Sequence, residues 1–258
     1  MRVICCNVNG IRAATRKGLF EWLRRQKADF ICLQEIKARQ EQIPTEALLT
    51  PYHHHFSLAS RPGYSGVALY SLQAPLKIGT EMGLAEMDNE GRYLQADYKN
   101  LTVISVYFPS GSSGDARQAW KYKFLDSFMD KARELRKKRR QFIVCGDFNI
   151  AHKKIDIKNW RGNQKNSGFL PEERAWMDRL IDEECWVDAF RTLNNKEEQY
   201  TWWSNRGRAY ENNVGWRIDY QMVTPGLKDN ITKVNIYKRK KFSDHAPLII
   251  EYDFEVVN

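Results

Sequence analysis

FIVCGDFNIAH, residues 142 to 152, sets four apolar residues in a row and then, across one glycine, an acid and an amide two positions apart. Phe142, Ile143, Val144 and Cys145 read as a strand buried on both faces, and Gly146 reads as the point where the backbone is released into a turn. Residues two apart on a strand share a face, so an extended tip would aim Asp147 and Asn149 side by side out of the core. A carboxylate in that place can hold or deprotonate a water, and a neighbouring amide can orient the water without competing as a base. The same pair would also cap a turn. The stretch alone leaves both readings open.

Working outward, other strand ends repeat the pattern. Residues 3–6 form an apolar strand that ends in Asn7-Val8-Asn9-Gly10, and residues 30–33 form another that ends in Gln34-Glu35, after a helix carrying Leu19, Phe20, Trp22 and Leu23. Residues 101–108 alternate as a strand and place Tyr107 at the mouth of the loop Pro109-Ser110-Gly111-Ser112-Ser113-Gly114. In the strand at 217–223, Asp219 interrupts Ile218 and Tyr220, and a buried acid needs a partner. Ser243-Asp244-His245, just ahead of the last strand at 247–252, supplies one. With each repetition, independent turn caps explain the pattern less well.

The remaining elements are structural in character. Residues 66–71 and 92–98 read as strands, and 116–140 as the longest helix, with Trp120, Phe124, Phe128, Ala132 and Leu135 on one stripe. Its basic end, residues 136–140, is a nucleic-acid patch or simply the positive charge that a helix C-terminus favours, and the second reading is preferred. A second helix opens at Pro171-Glu172-Glu173. His53 and His55 share a strand face in residues 52–58, but without an acid or cysteine at ligand spacing they read as a half-exposed strand rather than a zinc site. No repeat or linker divides the 258 residues, so a single domain of mixed sheets with outer helices is expected.

Composition narrows the partners. Lys and Arg number 41 against 32 Asp and Glu, a net charge of +9 with a pI near 9.2, which favours polyanions. The five cysteines, Cys5, Cys6, Cys32, Cys145 and Cys185, are odd in number, show no Cys-x-x-Cys spacing and read as reduced core residues. The N-terminal apolar run is too short for a signal peptide, and no stretch approaches the ~20 apolar residues of a membrane span. A cytoplasmic protein is expected, and a monomer, because no heptad run or spare apolar helix asks for a second copy.

Asn7, Glu35, Asp147, Asn149, Asp219, Asp244 and His245 thus form a set of acids, amides and one histidine without a reactive Ser or Cys beside a base. The set suits metal-assisted phosphodiester hydrolysis better than acyl transfer, for which no Gly-x-Ser-x-Gly elbow is present. Five motifs in order, NVNGIRA, LQEIK, GDFNIAH, NVGWRIDY and SDHAPL, cover nearly the whole chain. On these the chain resembles the exonuclease III-type abasic-site (AP) endonucleases, within the group that shares the DNase I fold.

The resemblance implies a four-layer α/β sandwich, two packed mixed β-sheets flanked by helices, with a site where strand ends converge. It implies that Glu35 binds Mg2+, for which Mn2+ could substitute, with Asn7 nearby and Asp244 at or just outside the metal. Asp147, helped by Asn149, would align or deprotonate the attacking water. His245, held by Asp219, would contact the scissile phosphate, and Tyr107 the phosphate or leaving oxygen. Trp202, Trp216 and Ile218 would form the pocket for a flipped-out sugar that has lost its base. Ser110 stands where several members carry Asn or Gln, implying a shortened or lost contact to phosphate, and the small Ser167 leaves room for an internal site.

The substrate implied is double-stranded DNA with abasic sites or blocked 3′ ends, cut to a 3′-hydroxyl and a 5′-phosphate, with 3′-phosphodiesterase and 3′-to-5′ exonuclease action. The alternatives are a predominantly 3′-to-5′ exonuclease and a non-catalytic nucleic-acid-binding regulator of the same fold. Retention of every acid in the set argues against the regulator. The basic charge and the Trp-containing NVGWRIDY loop argue against a phosphoesterase acting on lipids.

Overall fold

In the computed structural model, which describes residues 1–257, the apolar runs become strands covered on both sides. Along Arg2–Asn7, Val3 and Cys5 enter the core between two sheets, whereas Ile4 and Cys6 enter a layer with Phe20 and Leu23 of the outer helix Leu19–Arg24. Along Gln141–Asp147, Ile143 and Cys145 enter the same inter-sheet core, whereas Phe142 and Val144 meet Phe124 and Phe128 of the helix Asp115–Arg136. Burial on both faces explains why these strands read as continuous apolar runs. Together they make the four-layer α/β sandwich.

Each of the two packed sheets has six strands, and Trp202–Trp203 pairs with Gly215–Trp216 as a separate two-stranded sheet. The first runs, in spatial order, Ile231–Ile236, Leu248–Tyr252, Arg2–Asn7, Phe30–Gln34, Val67–Ser71 and His53–Ser57; the second runs Lys77–Gly79, Tyr93–Asp97, Leu101–Tyr107, Gln141–Asp147, Asp219–Val223 and Val187–Asp188. One central pair in each sheet is parallel and the other pairings are antiparallel, as the irregular alternation of strands and helices requires. Register then sets the site. Asp147 lies beside Tyr107 on one side and Asp219 on the other, while Asn7 lies beside Gln34, the residue before Glu35.

Four expectations change. The strand does not end at Gly146 but runs through it to Asp147: a Cβ at Gly146 would lie 2.2 Å from the Val106 carbonyl oxygen, so the glycine permits close approach of a neighbouring strand. The long helix ends at Arg136 instead of continuing to 140, and three of its basic residues have local partners: Arg136 donates to the Glu184 carbonyl, Lys138 pairs with Glu134 and Arg140 donates to the Tyr98 carbonyl. Cys185 is exposed, whereas the other four cysteines are buried. The short helix Ile11–Arg16 follows the first strand where no helix was expected. His53–Ser57 is the half-exposed strand expected of it.

A buried ion network fixes the chain just ahead of Asp219. Arg217 donates to Asp156 Oδ1 at 2.7 Å and to Asp188 Oδ2 at 2.7 Å, and Arg191 adds a second guanidinium to Asp156 at 2.6 Å. Burial opposes ionisation of Asp156, but the two guanidiniums outweigh it and hold the carboxyl down at about 2. Asp156→Asn leaves the buried Arg217 and the partly buried Arg191 short of a carboxylate, and thermal unfolding should show a loss of about 3–5 kcal/mol. Because the folded pKa lies below the unfolded value of about 3.9, this stabilisation is complete above that pH and is lost as pH falls toward about 2. A stability gap between wild type and variant that stays constant from about pH 5 to about pH 2 would contradict the assignment.

Candidate active site

The two sheets meet at their strand tips through one amide. Asn7 is fully buried, and its Nδ2 donates to Glu35 Oε1 at 2.7 Å and to Asp147 Oδ2 at 2.8 Å, while its Oδ1 accepts from the Asn9 backbone at 2.9 Å. Asn9, Glu35 and Lys37 all have left-handed backbones, with φ of 43°, 53° and 51°. Such conformations are strained for residues with side chains and concentrate where the surroundings over-determine them. Lys37 ion-pairs with Glu35 and donates to Asn9 Oδ1 at 2.7 Å. Burial disfavours the Glu35 anion, yet Lys37 and the Asn7 hydrogen bond together hold its carboxyl below the ordinary value.

Asp147 and Asn149 come together through a turn and not through strand alternation. Asn149 has φ 52°, and its backbone N–H donates to Asp147 Oδ1 at 2.8 Å, an Asx turn closed by the acid itself. Between them Phe148 is driven into the core, stacked on Phe108 with centroids 4.2 Å apart, and this pins the turn. Asn149 Nδ2 donates to the Phe108 carbonyl at 2.9 Å. Burial raises the Asp147 carboxyl toward about 7, with Asp219 and Glu35 pushing in the same direction against His245.

His245 reaches this row from the first sheet's side. Its Nδ1 donates to Asp219 Oδ2 at 2.9 Å, which leaves Nε2 facing Asp147 Oδ2 at 3.8 Å. Burial alone would lower its pKa, but Asp219, then Asp147 and Asp244, carry it up to about 10. Asp219 is the first residue of its strand, which begins there and not at 217, so it does not interrupt the run; as a buried acid it has the partner it needs. Tyr107 lies under the Arg92 guanidinium, 4.7 Å from its ring centroid, and burial followed by the Glu35 charge pushes the phenol well up. Asp244 stands slightly apart, accepting from Asn9 Nδ2 at 3.0 Å, Ser243 Oγ at 2.9 Å and Trp202 Nε1 at 3.2 Å.

These groups line a cleft of about 940 Å³. Glu35, Tyr107, Asp147, Asn149, Asp244 and His245 line it directly, whereas Asn7 and Asp219 lie behind them. Trp202, Trp216 and Ile218 also face it, with the two indoles edge to face at 6.1 Å. Ser110 and Ser167 stand on the same cleft; Ser110 Oγ is 2.9 Å from Ser112 Oγ. The structure therefore brings together every site residue singled out from sequence. Sequence reasoning passed over Asn9, Lys37 and Arg92. Asn9 and Lys37 sit inside quoted motifs, so their motifs were the available signal, whereas nothing local marks Arg92 as the residue that covers Tyr107.

The donor set bears on the metal it would accept. Glu35, Asp147 and His245 each offer an atom within 4.8 Å of the others, a three-ligand group among the described residues that could hold an ion. His245 is engaged as an imidazolium by Asp219, so the atoms free to ligate are carboxylate oxygens. Oxygen-only donation fits a hard divalent cation, whereas zinc would draw on nitrogen or sulfur. In the metal-free protein His245 should keep its proton through neutral pH and release it near about 10, as read from imidazole ¹⁵N shifts. Asp219→Asn should lower that value, since burial remains while the principal counter-charge is gone. Titration near about 6.5 in both proteins would contradict this geometry.

The chain is similar to known proteins along almost its full length. A model of the endonuclease/exonuclease/phosphatase family matches residues 4–245. The chain is 38% identical over 250 residues to an exodeoxyribonuclease of Bacillus subtilis (strain 168), covering 96% of this chain and 98% of that protein. It is 34% identical over 264 residues to DNA repair nuclease APEX1 of Danio rerio, covering 97% and 81%. An AP endonuclease structure from Archaeoglobus fulgidus superposes with a TM-score of 0.90 at 26% identity, over 98% of this chain and 100% of that one. With a site assembled at the strand tips of this sandwich and matches along almost its full length, the chain belongs to the endonuclease/exonuclease/phosphatase family, in its exonuclease III-type AP endonuclease branch.

Proposed function

We propose that this protein is a Mg2+-dependent DNA repair nuclease that hydrolyses the phosphodiester 5′ to abasic sites in duplex DNA, leaving a 3′-hydroxyl and a 5′-phosphate. One observation carries the reading: two carboxylates joined by Asn7 lie next to an Asp219-held imidazolium on a cleft with an aromatic wall. Residues 1–258 act as one catalytic domain and, on this reading, as a monomer in the cytoplasm, to which four buried reduced thiols are suited. No helix among the described residues is long and apolar enough to cross a membrane.

The roles follow from protonation states. Glu35 is held ionised and would bind magnesium, with Asp147 adjacent, Asn7 fixing both and Asp244 outside. When bound, the ion would supply positive charge against the phosphoryl and leaving oxygens; manganese shares its preference for oxygen. Asp147, raised toward neutral pH, is poised to take the proton of a water that Asn149 helps to orient. The water oxygen bonds to phosphorus as the bond to the 3′ oxygen breaks, which gives the two products. His245 donates from Nε2 to a phosphoryl oxygen, and Tyr107, whose phenol keeps its proton, donates to the phosphate or the departing oxygen.

Selectivity would come from shape. Trp202, Trp216 and Ile218 would receive a deoxyribose without its base, and base loss lowers the cost of extrusion. The small Ser167 leaves space for the strand on both sides of an internal site, and Ser110 would contact phosphate at short reach. The same groups would cleave blocked 3′ ends and remove 3′ nucleotides. A predominantly exonucleolytic enzyme is the second reading, favoured by the 38% identity to a protein named exodeoxyribonuclease.

Cleavage of two labelled duplexes, one with an internal abasic-site analogue and one intact with a recessed 3′ end, separates these readings. Incision at the analogue is expected with magnesium and not with EDTA, and Asp147→Asn should slow it by at least about 10²-fold. Shortening of the recessed end alone would favour the exonuclease. Binding without cleavage of either duplex would overturn the catalytic reading.

A further inference from the structure

Behind the Asp147–Asn149 turn lies an ion pair that no step above uses. Lys121 and Glu173 are both fully buried, with Nζ 2.5 Å from Oε1. The Lys121 ammonium also donates to the Asn149 carbonyl at 2.8 Å. Glu173 Oε2 accepts from the Gly168 backbone at 2.6 Å and from Leu170 at 3.1 Å, while Oε1 accepts from Gln118 at 3.1 Å and Ser167 Oγ at 3.4 Å. One carboxylate thus collects donors from the long helix and from the 167–170 segment of the cleft wall. The 110–114 loop abuts the same point, since a Cβ on Gly111 would lie 1.9 Å from Gln118 Oε1 and 2.6 Å from Ser167 Oγ.

Stability alone is a poor reason for such a pair, because two buried charges seldom outperform an apolar pair of the same volume. The location supplies a better one. Asn149 has a left-handed backbone, so its peptide must be held from outside, and its carbonyl is the atom that Lys121 holds. The N–H of the same residue closes the turn on Asp147 Oδ1 through the preceding peptide, so a shift of the Asn149 backbone that follows loss of its carbonyl partner reaches that contact through Cα. Gly168, fixed by Glu173, packs so closely that a Cβ there would be 2.9 Å from the Trp216 ring and 3.1 Å from the Asn149 carbonyl oxygen.

We infer that Lys121 and Glu173 are positioning residues of the reaction, which hold the Asn149 turn and the Ser167–Gly168 wall at the spacing that incision requires. The inference rests on the abasic-site reading above. Neither residue of the pair lines the cleft, and the pair acts through Asn149 and Gly168.

The test compares wild type, Lys121→Met and Lys121→Arg in three measurements: single-turnover incision of a duplex with an internal abasic-site analogue and magnesium, affinity for that duplex in EDTA, and thermal unfolding. Lys121→Met should slow incision about tenfold to a hundredfold, the cost of a small misplacement, while duplex affinity stays at the wild-type value. Lys121→Arg, which keeps a cation and a donor, should recover most of the rate. If Lys121→Met does not fold, Glu173→Gln, which keeps the shape and one acceptor, should show the same split between rate and affinity. A folded Lys121→Met that incises at the wild-type rate, or loses rate only in proportion to its unfolded fraction, would overturn the inference. Wild-type protein that fails to incise would refute the abasic-site reading itself, and the inference with it.

Discussion

The double hydrogen bond from Asn7 Nδ2 is the constraint on which the site depends. Glu35 belongs to one sheet and Asp147 to the other, and no backbone pairing connects them. An amide suits the junction because it donates two protons and carries no charge, so it can hold two carboxylates together without neutralising either. A lysine there would occupy the ligand field with its own charge. A leucine would leave two acids facing each other with nothing between.

Around that junction the charges are arranged in opposed states. Glu35 is kept ionised by Lys37, His245 is kept protonated by Asp219, and Asp147 is raised by burial and by its acidic neighbours. Groups whose environments drive their pKa values apart divide acid and base work between them. Here the environment is a direct product of topology, because parallel and antiparallel register set Tyr107, Asp147 and Asp219 side by side on the second sheet. The helices outside the sheets make the same tips rigid, through Phe148 in the core and the Arg217 network behind the Trp216 stretch.

Much of this was legible in the residues. Continuous apolar runs ending in polar pairs announce strands buried on both faces, and an acid at 219 beside apolar neighbours announces a partner, which is His245, although the strand begins at that acid and does not run through it. The misreadings have physical causes. Gly146 reads as a turn because glycine permits one, whereas it serves the close approach of Val106. Strand alternation would put Asn149 beside Asp147, whereas its left-handed backbone and the Asp147 side chain make the turn. The Lys121–Glu173 pair spans 52 positions, and neither helical pattern marks its polar member as buried.

The central claim is that a base-free sugar enters the cleft with its 5′ phosphate at the junction of the two sheets. The most direct measurement is a crystal structure of Asp147→Asn bound to a duplex carrying an internal abasic-site analogue. The account predicts the extruded sugar against Trp202, Trp216 and Ile218, with its 5′ phosphate in hydrogen-bond reach of His245 Nε2 and next to Asn149. A sugar left stacked in the duplex, or a phosphate bound away from His245, would contradict it.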